Sequence, residues 1–371
     1  KLKDKNSIKK SILTRINEAL KHVFTILLAP VSNIIRPGFS WLEERILFTY
    51  FTRRIIKTAK ERNTEIIHAH VPYRVGIPAL RAARELQIPF VYEMRGMWEE
   101  SAVASGRWKA GGIAHRRFRR IETKVLQQAD AVVCISQTLR EEAISRGVAS
   151  SRIIVVPNAV DTHPEKSEPT QLLLDTKKKL ADNLVIGYIG SLRDLEGVDQ
   201  TATAVSLLHE KGALVNFFAL TSEPGQKELL QHCEELGISQ QTHIVGPVPH
   251  NQVSPFYDLI DVFVVSRPNK RVTRLVTPLK PFEAMRNGCA LVMSDLPALA
   301  EIVKDKKTGR LYPADDATAL ADVIYELIGD NNQRMELGRA ASEWVGKERT
   351  WSQVIQNTIP MYEKLLVHSG K

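Results

Sequence analysis

The sequence is poor in cysteine and has no long apolar run, and both absences limit what the protein is. Its three cysteines, Cys134, Cys233 and Cys289, stand far apart in apolar or helical stretches. This spacing excludes a disulfide framework or zinc finger and predicts a reducing compartment. No segment reaches the ~20 apolar residues of a membrane-spanning helix, and the charged N-terminus lacks the pattern of a signal peptide. We therefore expect a cytoplasmic protein.

Several catalytic and binding signatures are absent as well. The sequence has no Walker loop, no Gly-x-Ser-x-Gly elbow and no Asp-x-Asp strand-end motif. No helix-turn-helix or aromatic RNA-binding signature is found, so we predict no nucleic-acid partner. His68 and His70 alternate in IIHAH, but no Cys, Asp or Glu frame for a metal is recognisable around them. We predict that they are core histidines, and that the protein holds no metal and no cofactor.

The net charge of +9 is concentrated in the first sixth of the chain. Residues 1–60 contain 13 Lys and Arg against 4 Asp and Glu, and residues 106–120 add six cations without an acid. Such patches attract anionic membranes or phosphorylated substrates. Trp41 and Phe48 lie within the first segment, which suits a helix lying on the inner membrane face. An ordinary amphipathic helix with a solvated basic face is the alternative, and the sequence leaves both open.

Length and periodicity predict an α/β protein with two domains. At 371 residues the chain exceeds the size of one hydrophobic core, and short apolar runs alternate with helical patterns, as in parallel sheets. We predict an N-terminal domain over 1–161, a linker over 162–182, a C-terminal domain over 183–348 and a final helix over 349–371. Two such domains place a ligand cleft at the carboxyl ends of their strands.

Two stretches of the second half are candidates for an anion site. In IGYIGSLRDLEGVD a buried strand ends at Gly190-Ser191, where a glycine lets the backbone approach a ligand closely. In TPLKPFEAMRNG, Lys280 and Glu283 stand at a proline-stiffened helix start. Lys280 could meet an anion and Glu283 a ribose diol. A solvated lysine and a glutamate that complements the helix dipole are the alternatives.

A third candidate lies in the first half, in VYEMRGMWEES. A predicted strand ends there and is followed by Arg95, Trp98 and Glu99. Loops at strand ends commonly carry binding residues. An ion pair between Arg95 and a glutamate that merely closes the loop is the alternative.

Taken together, these motifs resemble those of the retaining family 4 glycosyltransferases. The resemblance rests on YIGSLRDLEGVD, VVPNAVD, TPLKPFEAMRNGCALVMSDLPALAEIV and KTGRLY, and it runs from about His68 to the C-terminus. YEMRGMWEES and ETKVLQQADAVVCIS look like a bacterial subgroup that makes surface polysaccharides. The resemblance implies the GT-B fold, in which two facing Rossmann-like domains border a central cleft and the final helix crosses back to the first domain. It also implies metal-independent, retaining transfer from a nucleotide sugar, which we expect to be UDP-linked, to a lipid-linked or polysaccharide acceptor.

The resemblance assigns roles to individual residues. Lys280 matches the cation that neutralises the leaving diphosphate, and Glu283 matches the glutamate that holds the nucleotide ribose. Arg95 stands where the family commonly has a histidine, and we predict it to be catalytic together with Lys280. The complete predicted set is Gly190, Ser191, Arg193, Arg274, Thr277, Lys280 and Glu283 for the donor and Arg95, Trp98 and Glu99 for the acceptor.

Departures from the family pattern support a second hypothesis. The first glutamate of the family's Glu-x7-Glu motif falls at Leu275, and its loop arginine and lysine fall at Ser191 and Glu196. We expect Arg193, Arg271 or Arg274 to replace the missing cations. The family's first strand and glycine-rich loop are also not recognisable upstream. The alternative is therefore a non-catalytic nucleotide- or glycan-binding subunit of a polysaccharide assembly complex.

Overall fold

The computed structural model describes residues 44–161, 168–180 and 183–368 of the chain. The chain divides into two compact units, residues 1–63 and 64–371. In the first unit, residues 44–61 form helix α1, on which Ile46, Leu47 and Tyr50 are exposed. Most of the basic N-terminal segment lies outside the described residues, so membrane contact stays a prediction. Within the described residues, no helix combines the length and the apolarity that spanning a bilayer requires.

The second unit begins with a four-stranded parallel sheet in the order β1-β2-β3-β4. Its middle strands, β2 and β3, are buried along their whole length, as expected for a parallel sheet covered on both faces. The sheet and its helices, here called the first domain, comprise β1 (Ile67–His70), α2 (Tyr73–Leu86), β2 (Phe90–Met94), α3 (Trp98–Ala104), α4 (Ile113–Gln128), β3 (Ala131–Cys134), α5 (Gln137–Ser145) and β4 (Ile153–Val155).

A six-stranded parallel sheet follows in the order β10-β9-β8-β5-β6-β7. After β5, the next strands β6 and β7 are added on one side of it, and β8, β9 and β10 are added on the other. The strand order therefore reverses between the neighbours β5 and β8. In open α/β sheets, ligands bind at such a reversal, outside the carboxyl ends of the strands. The strands are β5 (Val185–Ile189), β6 (Asn216–Leu220), β7 (Thr242–Val245), β8 (Val262–Val265), β9 (Ala290–Ser294) and β10 (Arg310–Tyr312).

Helices cover both faces of this second sheet, and together they are here called the second domain. They are α6 (Gln171–Leu180), α7 (Val198–Glu210), α8 (Gln226–Glu235), α9 (Arg271–Leu275), α10 (Lys280–Arg286), α11 (Pro297–Ala300), α12 (Ala317–Gly329) and α13 (Asn331–Glu348). Helix α6 lies within the predicted linker, and its Leu173 and Leu180 belong to the core under the second sheet. The residues 162–167 before it lie outside the described part of the chain.

The chain ends in α14 (Trp351–Val354) and α15 (Ile359–His368). Met361 of α15 packs with Val91 and Val133 of the first sheet. The last described helix therefore covers the first domain after the chain has completed the second.

Three short elements form for local reasons. Residues 250–259 form two 3₁₀ turns, the second of which has a proline in its first turn. The run RVTRL forms the short helix α9 although its residues favour strands, because the Thr273 hydroxyl accepts a hydrogen bond from the Lys270 backbone N–H at 3.0 Å and so fixes the start of the helix. The motif KTGRLY contains an edge strand, β10, whose three residues are too few to show a period.

Glu122 of α4 is a buried carboxyl group inside the first domain. Its Oε2 accepts a hydrogen bond from the Tyr73 backbone N–H at 2.7 Å, and its Oε1 accepts one from the Tyr92 hydroxyl. Burial raises the pKa of Glu122 to about 7, against these two stabilising hydrogen bonds. The folded state therefore holds a proton here that the unfolded chain has already released at the same pH.

This raised pKa predicts a fold that weakens as pH rises. Stability from the protonated form is complete below the ordinary carboxyl value and is lost as pH passes through about 7. We expect Glu122→Gln, which keeps the shape and the hydrogen bond from Tyr73 while its amide N–H donates to the Tyr92 hydroxyl, to stabilise the protein at pH 8 by about 2 kcal/mol and to change little at pH 5. Urea unfolding of both proteins at the two pH values measures this, and an equal effect at both would contradict it.

Candidate functional site

Lys280 begins helix α10 and points into the reversal point of the second sheet. Pro281 occupies the first helical turn, where its missing N–H costs no hydrogen bond. The Lys280 Nζ donates to the Tyr188 hydroxyl at 2.8 Å and lies 3.1 Å from Oε2 of Glu196. It also stands 5.1 Å from the centroid of the Tyr188 ring. Three contacts therefore hold the ammonium group at the carboxyl end of β5.

Two glycines make room for this arrangement. Gly190 follows β5 with a φ of 152°, and a Cβ there would lie 2.1 Å from Cε of Lys280. Gly197 has a φ of 63°, and a Cβ there would lie 1.9 Å from the backbone oxygen of Ser266. Neither approach tolerates a side chain. Gly190 is thus required where the lysine passes the strand end, which gives a physical reason for the glycine found in the sequence.

Glu196 is the centre of a charged cluster that we call the cation cluster: Glu196 with Arg193, Arg267 and Lys280. Its side chain is 1% exposed, and Arg267 binds it with Nη2 at 3.1 and 3.2 Å from its two oxygens. Arg193, which is 70% exposed, reaches it at 3.4 Å. Burial would raise the pKa of Glu196, but Arg267 and Lys280 outweigh burial and hold the pKa below its ordinary value. The carboxylate is therefore ionised at neutral pH.

The pKa of Lys280 is lowered as well, which for a lysine disfavours the charged form. Burial lowers the pKa of Lys280, Glu196 partly restores it, and the positive charge of Arg267 lowers it further. Three cations thus surround one carboxylate, so the cluster keeps an excess of positive charge at the sheet reversal. Such a site can bind an anion with more than one negative charge, such as a phosphate group.

Glu283 lies one turn after Lys280 on α10 and opens into a different space. Its Oε2 accepts a hydrogen bond from the Tyr257 hydroxyl at 2.7 Å. It lines a cavity of about 450 Å³ together with Asn251, Ser254 and Arg286. Because Oε1 has further acceptor capacity, the carboxylate can accept hydrogen bonds from a hydroxylated ligand in this cavity. One short helix therefore presents a cation and a carboxylate to neighbouring spaces.

Arg95 forms an ion pair with a glutamate of its own domain, the first domain. It follows β2, is partly exposed, and its Nη1 lies 2.9 Å from Oε1 of Glu93. The alternative considered for Arg95 in the sequence analysis, an ion pair with a glutamate, is therefore present in the structure. The carboxylate of Glu93 also lies 3.2 Å from His68 and 3.0 Å from His70. His70 is 55% exposed, so the prediction of two core histidines is wrong for His70, and the sequence analysis missed Glu93 as their partner.

Trp98 and Glu99 separate at the start of α3. The Trp98 side chain is exposed, whereas Glu99 is 1% exposed and lies 2.7 Å from Arg146, which is equally buried. This placement is that of an internal ion pair rather than of an acceptor contact, because a buried carboxylate engaged by an arginine has no route to an exposed ligand. Trp98 remains available at the surface.

Helix α9 and the turn after it connect the two domains. The Leu275 carbonyl accepts hydrogen bonds from Ser136 and Thr138 at 3.2 and 2.9 Å. Asn158 donates to the Thr277 carbonyl at 3.0 Å. Arg271 binds carboxylates of the first domain, Glu100 at 3.2 Å and Glu142 at 2.7 Å. Thr277 and Arg271 thus serve the domain contact.

The expectation that Arg271 replaces a missing cation of the phosphate loop is therefore wrong, because two carboxylates of the first domain already hold it. Arg274 is exposed and contacts Asn269 at 3.3 Å. Arg193 does belong to the cation cluster. The cation that sequence reasoning missed is Arg267, although it stands two residues after strand β8 and could have been found from that position.

Models of two glycosyltransferase families match this chain. The model of Glycosyltransferase Family 4 matches residues 17–164, and that of Glycosyl transferases group 1 matches residues 173–344. The D-inositol 3-phosphate glycosyltransferase of Xylanimonas cellulosilytica is 25% identical over 84% of this chain and 75% of its own. The alpha-maltose-1-phosphate synthase of Mycolicibacterium smegmatis is 23% identical over 81% of this chain and 79% of its own.

Solved structures agree on the fold. Sucrose-phosphate synthase from Thermosynechococcus elongatus superposes with a TM-score of 0.69 at 17% identity, covering 86% of this chain and 78% of that one. Anabaena HepE in complex with UDP-glucose gives 0.67 at 18% identity, covering 85% and 81%. With its two parallel-sheet domains, the protein has the GT-B fold. The chain belongs to the family 4 glycosyltransferases, and its activity is glycosyl transfer.

Proposed function

We propose that this protein transfers a sugar from a UDP-sugar to a lipid-linked or polysaccharide acceptor, with retention of anomeric configuration. The observation that carries the proposal is the placement of Lys280 against Gly190 at the reversal point of the second sheet. A diphosphate suits the excess positive charge there, and the Glu283 cavity on the same helix suits a ribose. Anabaena HepE, which shares the fold, was solved with UDP-glucose, and this supports the choice of donor.

In the proposed reaction, the bond between the anomeric carbon and the diphosphate breaks while an acceptor hydroxyl attacks from the same face. The hydroxyl proton passes to the leaving phosphate oxygen, so no protein base is needed. Lys280, Arg267 and Arg193 stabilise the negative charge that grows on the leaving group. These cations take the role that a metal ion has in other transferases, which supports a donor site that works without metal. On the acceptor side, Arg95 and the exposed Trp98 are the predicted contacts.

Binding of UDP to the full chain, measured by calorimetry, tests the donor assignment. We expect micromolar binding, and we expect Glu283→Gln to weaken UDP binding by about 10-fold because a charge-assisted hydrogen bond to the ribose is lost. Inorganic pyrophosphate lacks a ribose, so its weaker binding should not change in the variant. If the wild-type chain did not bind UDP, or if the variant lost UDP and pyrophosphate equally, the assignment would be wrong.

A further inference from the structure

Two histidines and a glutamate meet where β1 and β2 end. Nδ1 of His70 lies 3.0 Å from Oε2 of Glu93, and Nε2 of His68 lies 3.2 Å from the same oxygen. The two imidazole rings stack nearly parallel, with centroids 5.2 Å apart and 17° between their planes. All three side chains offer a ligand atom, and these atoms lie within 4.8 Å of one another. We call this group the His-His-Glu cluster.

Hydrogen bonding alone does not account for the position of His68. Its Nε2 is buried, and among the residues that the structure describes it has no hydrogen-bond partner, although Oε2 of Glu93 is only 3.2 Å away. The contact therefore has the distance of a hydrogen bond without the alignment. A ring nitrogen and a carboxylate oxygen that both point at a third centre produce this geometry, because their lone pairs are directed at that centre and not at each other.

The outer contacts of the cluster are those of ligands held in place. Nδ1 of His68 forms a hydrogen bond with the Tyr362 hydroxyl of α15 at 2.6 Å. Oε1 of Glu93 binds Arg95 at 2.9 Å, which leaves Oε2 for the histidine side. In metal sites, the second nitrogen of a ligating histidine and the second oxygen of a ligating carboxylate are usually anchored in this way.

We propose that His68, His70 and Glu93 form a binding site for a divalent transition-metal ion such as Zn²⁺. Two ligands that each lie about 2.1 Å from one ion are about 3.0 to 3.4 Å apart at octahedral or tetrahedral angles, and the cluster has 3.0 and 3.2 Å. Two imidazoles and one carboxylate select zinc-like ions over Mg²⁺ or Ca²⁺, which prefer oxygen ligands. Three protein ligands leave a coordination position for water, and His70 is exposed enough to admit it.

The proposed ion lies in the first domain, whereas the donor site is built from the second sheet, so this inference does not depend on the proposed donor. It runs against the sequence expectation that the chain binds no metal. The ion would join the ends of β1 and β2 and, through Tyr362, strengthen the attachment of α15 to the first sheet. It would therefore stabilise the first domain whether or not a sugar donor is present.

Titration of the tag-free, chelator-treated full chain with Co²⁺ and Zn²⁺ tests the site. We expect one Co²⁺ per chain with visible absorption bands typical of nitrogen and oxygen ligation, and a rise of a few degrees in Tm with saturating Zn²⁺. His70→Asn should weaken binding by more than about 100-fold, because it removes a ligand, and loss of a residue that only hydrogen-bonds to a ligand already costs about 10- to 100-fold. His232→Asn, in the second domain, should bind like the wild type.

His70 is more than half exposed, so its variant should fold, and Glu93→Gln provides a second test that keeps the shape of the side chain. Absence of stoichiometric Co²⁺ binding would overturn the proposal. So would binding that survives in both His70→Asn and Glu93→Gln, since the metal would then sit elsewhere. In that case the cluster would be a hydrogen-bonded network only.

Discussion

Replacement of Lys280 by methionine is expected to lower the turnover of a UDP-sugar by about 10²- to 10³-fold, the range seen when one stabilising group is removed from an oxyanion-type site. Nζ is held by Tyr188 and Glu196 at 2.8 and 3.1 Å, so its charge is already in position before the donor binds. A preorganised charge in a partly dehydrated site stabilises the leaving diphosphate more than the ground state. We therefore expect a larger loss in kcat than in UDP affinity.

The fold should survive this change. Glu196 keeps its two contacts to Arg267 at 3.1 and 3.2 Å, so the buried carboxylate is not left alone. Methionine fills the space of the lysine stem, which lies against Gly190. Steady-state rates with the donor and UDP calorimetry measure the effect, and Lys307→Met, an exposed lysine of the same domain, is the matched control. A turnover within threefold of the wild type would remove Lys280 from the proposed reaction.

Some of these residues could be found from the sequence because they depend on local rules. Glycine after a buried strand and proline at a helix start are both local, and they led to Gly190 and to Lys280. Glu283 followed from its position in the same helical turn. The parallel α/β architecture followed in the same way, since it rests on alternating apolar runs and helical patterns.

Other features depend on pairings between distant segments, which one sequence does not display. Arg267 acquires its role only because β8 lies beside β5, which brings it to Glu196. Glu93 joins His68 and His70 because β1 and β2 pair in register. Glu99 stands beside Trp98 in the sequence, yet its partner is Arg146, which directly follows helix α5. In each case tertiary structure, not spacing, decides whether a charged side chain faces a ligand or another side chain.

Glu196→Gln is expected to lower the stability of the empty protein and to raise its affinity for UDP. Without ligand, the carboxylate balances Lys280, Arg267 and Arg193 from a position that is 1% exposed. A glutamine leaves these cations to repel one another, and removing one partner of buried ion pairs costs about 3 kcal/mol or more. We therefore expect a lower free energy of unfolding for the empty variant, measured by urea unfolding.

The same substitution should strengthen the binding of UDP. The Glu196 carboxylate neutralises part of the positive charge that the diphosphate would contact. The two anions therefore compete for the same cations. Without that negative charge, we expect UDP to bind about 10-fold tighter or more, which corresponds to about 1.4 kcal/mol. The tighter binding should also weaken more steeply with added salt, because a larger net positive charge attracts the ligand.

A carboxylate that pairs with an arginine elsewhere in the domain serves as the control. Glu326 binds Arg310 at 2.9 Å and is 61% exposed, so Glu326→Gln should leave both the stability and the UDP affinity close to those of the wild type. If Glu196→Gln bound UDP no more tightly than the wild type, the carboxylate would not compete with the phosphate. Its function would then be to orient Lys280 and Arg267 for the donor. Calorimetry at two salt concentrations decides between these outcomes, because only competition predicts both a higher affinity and a steeper salt dependence.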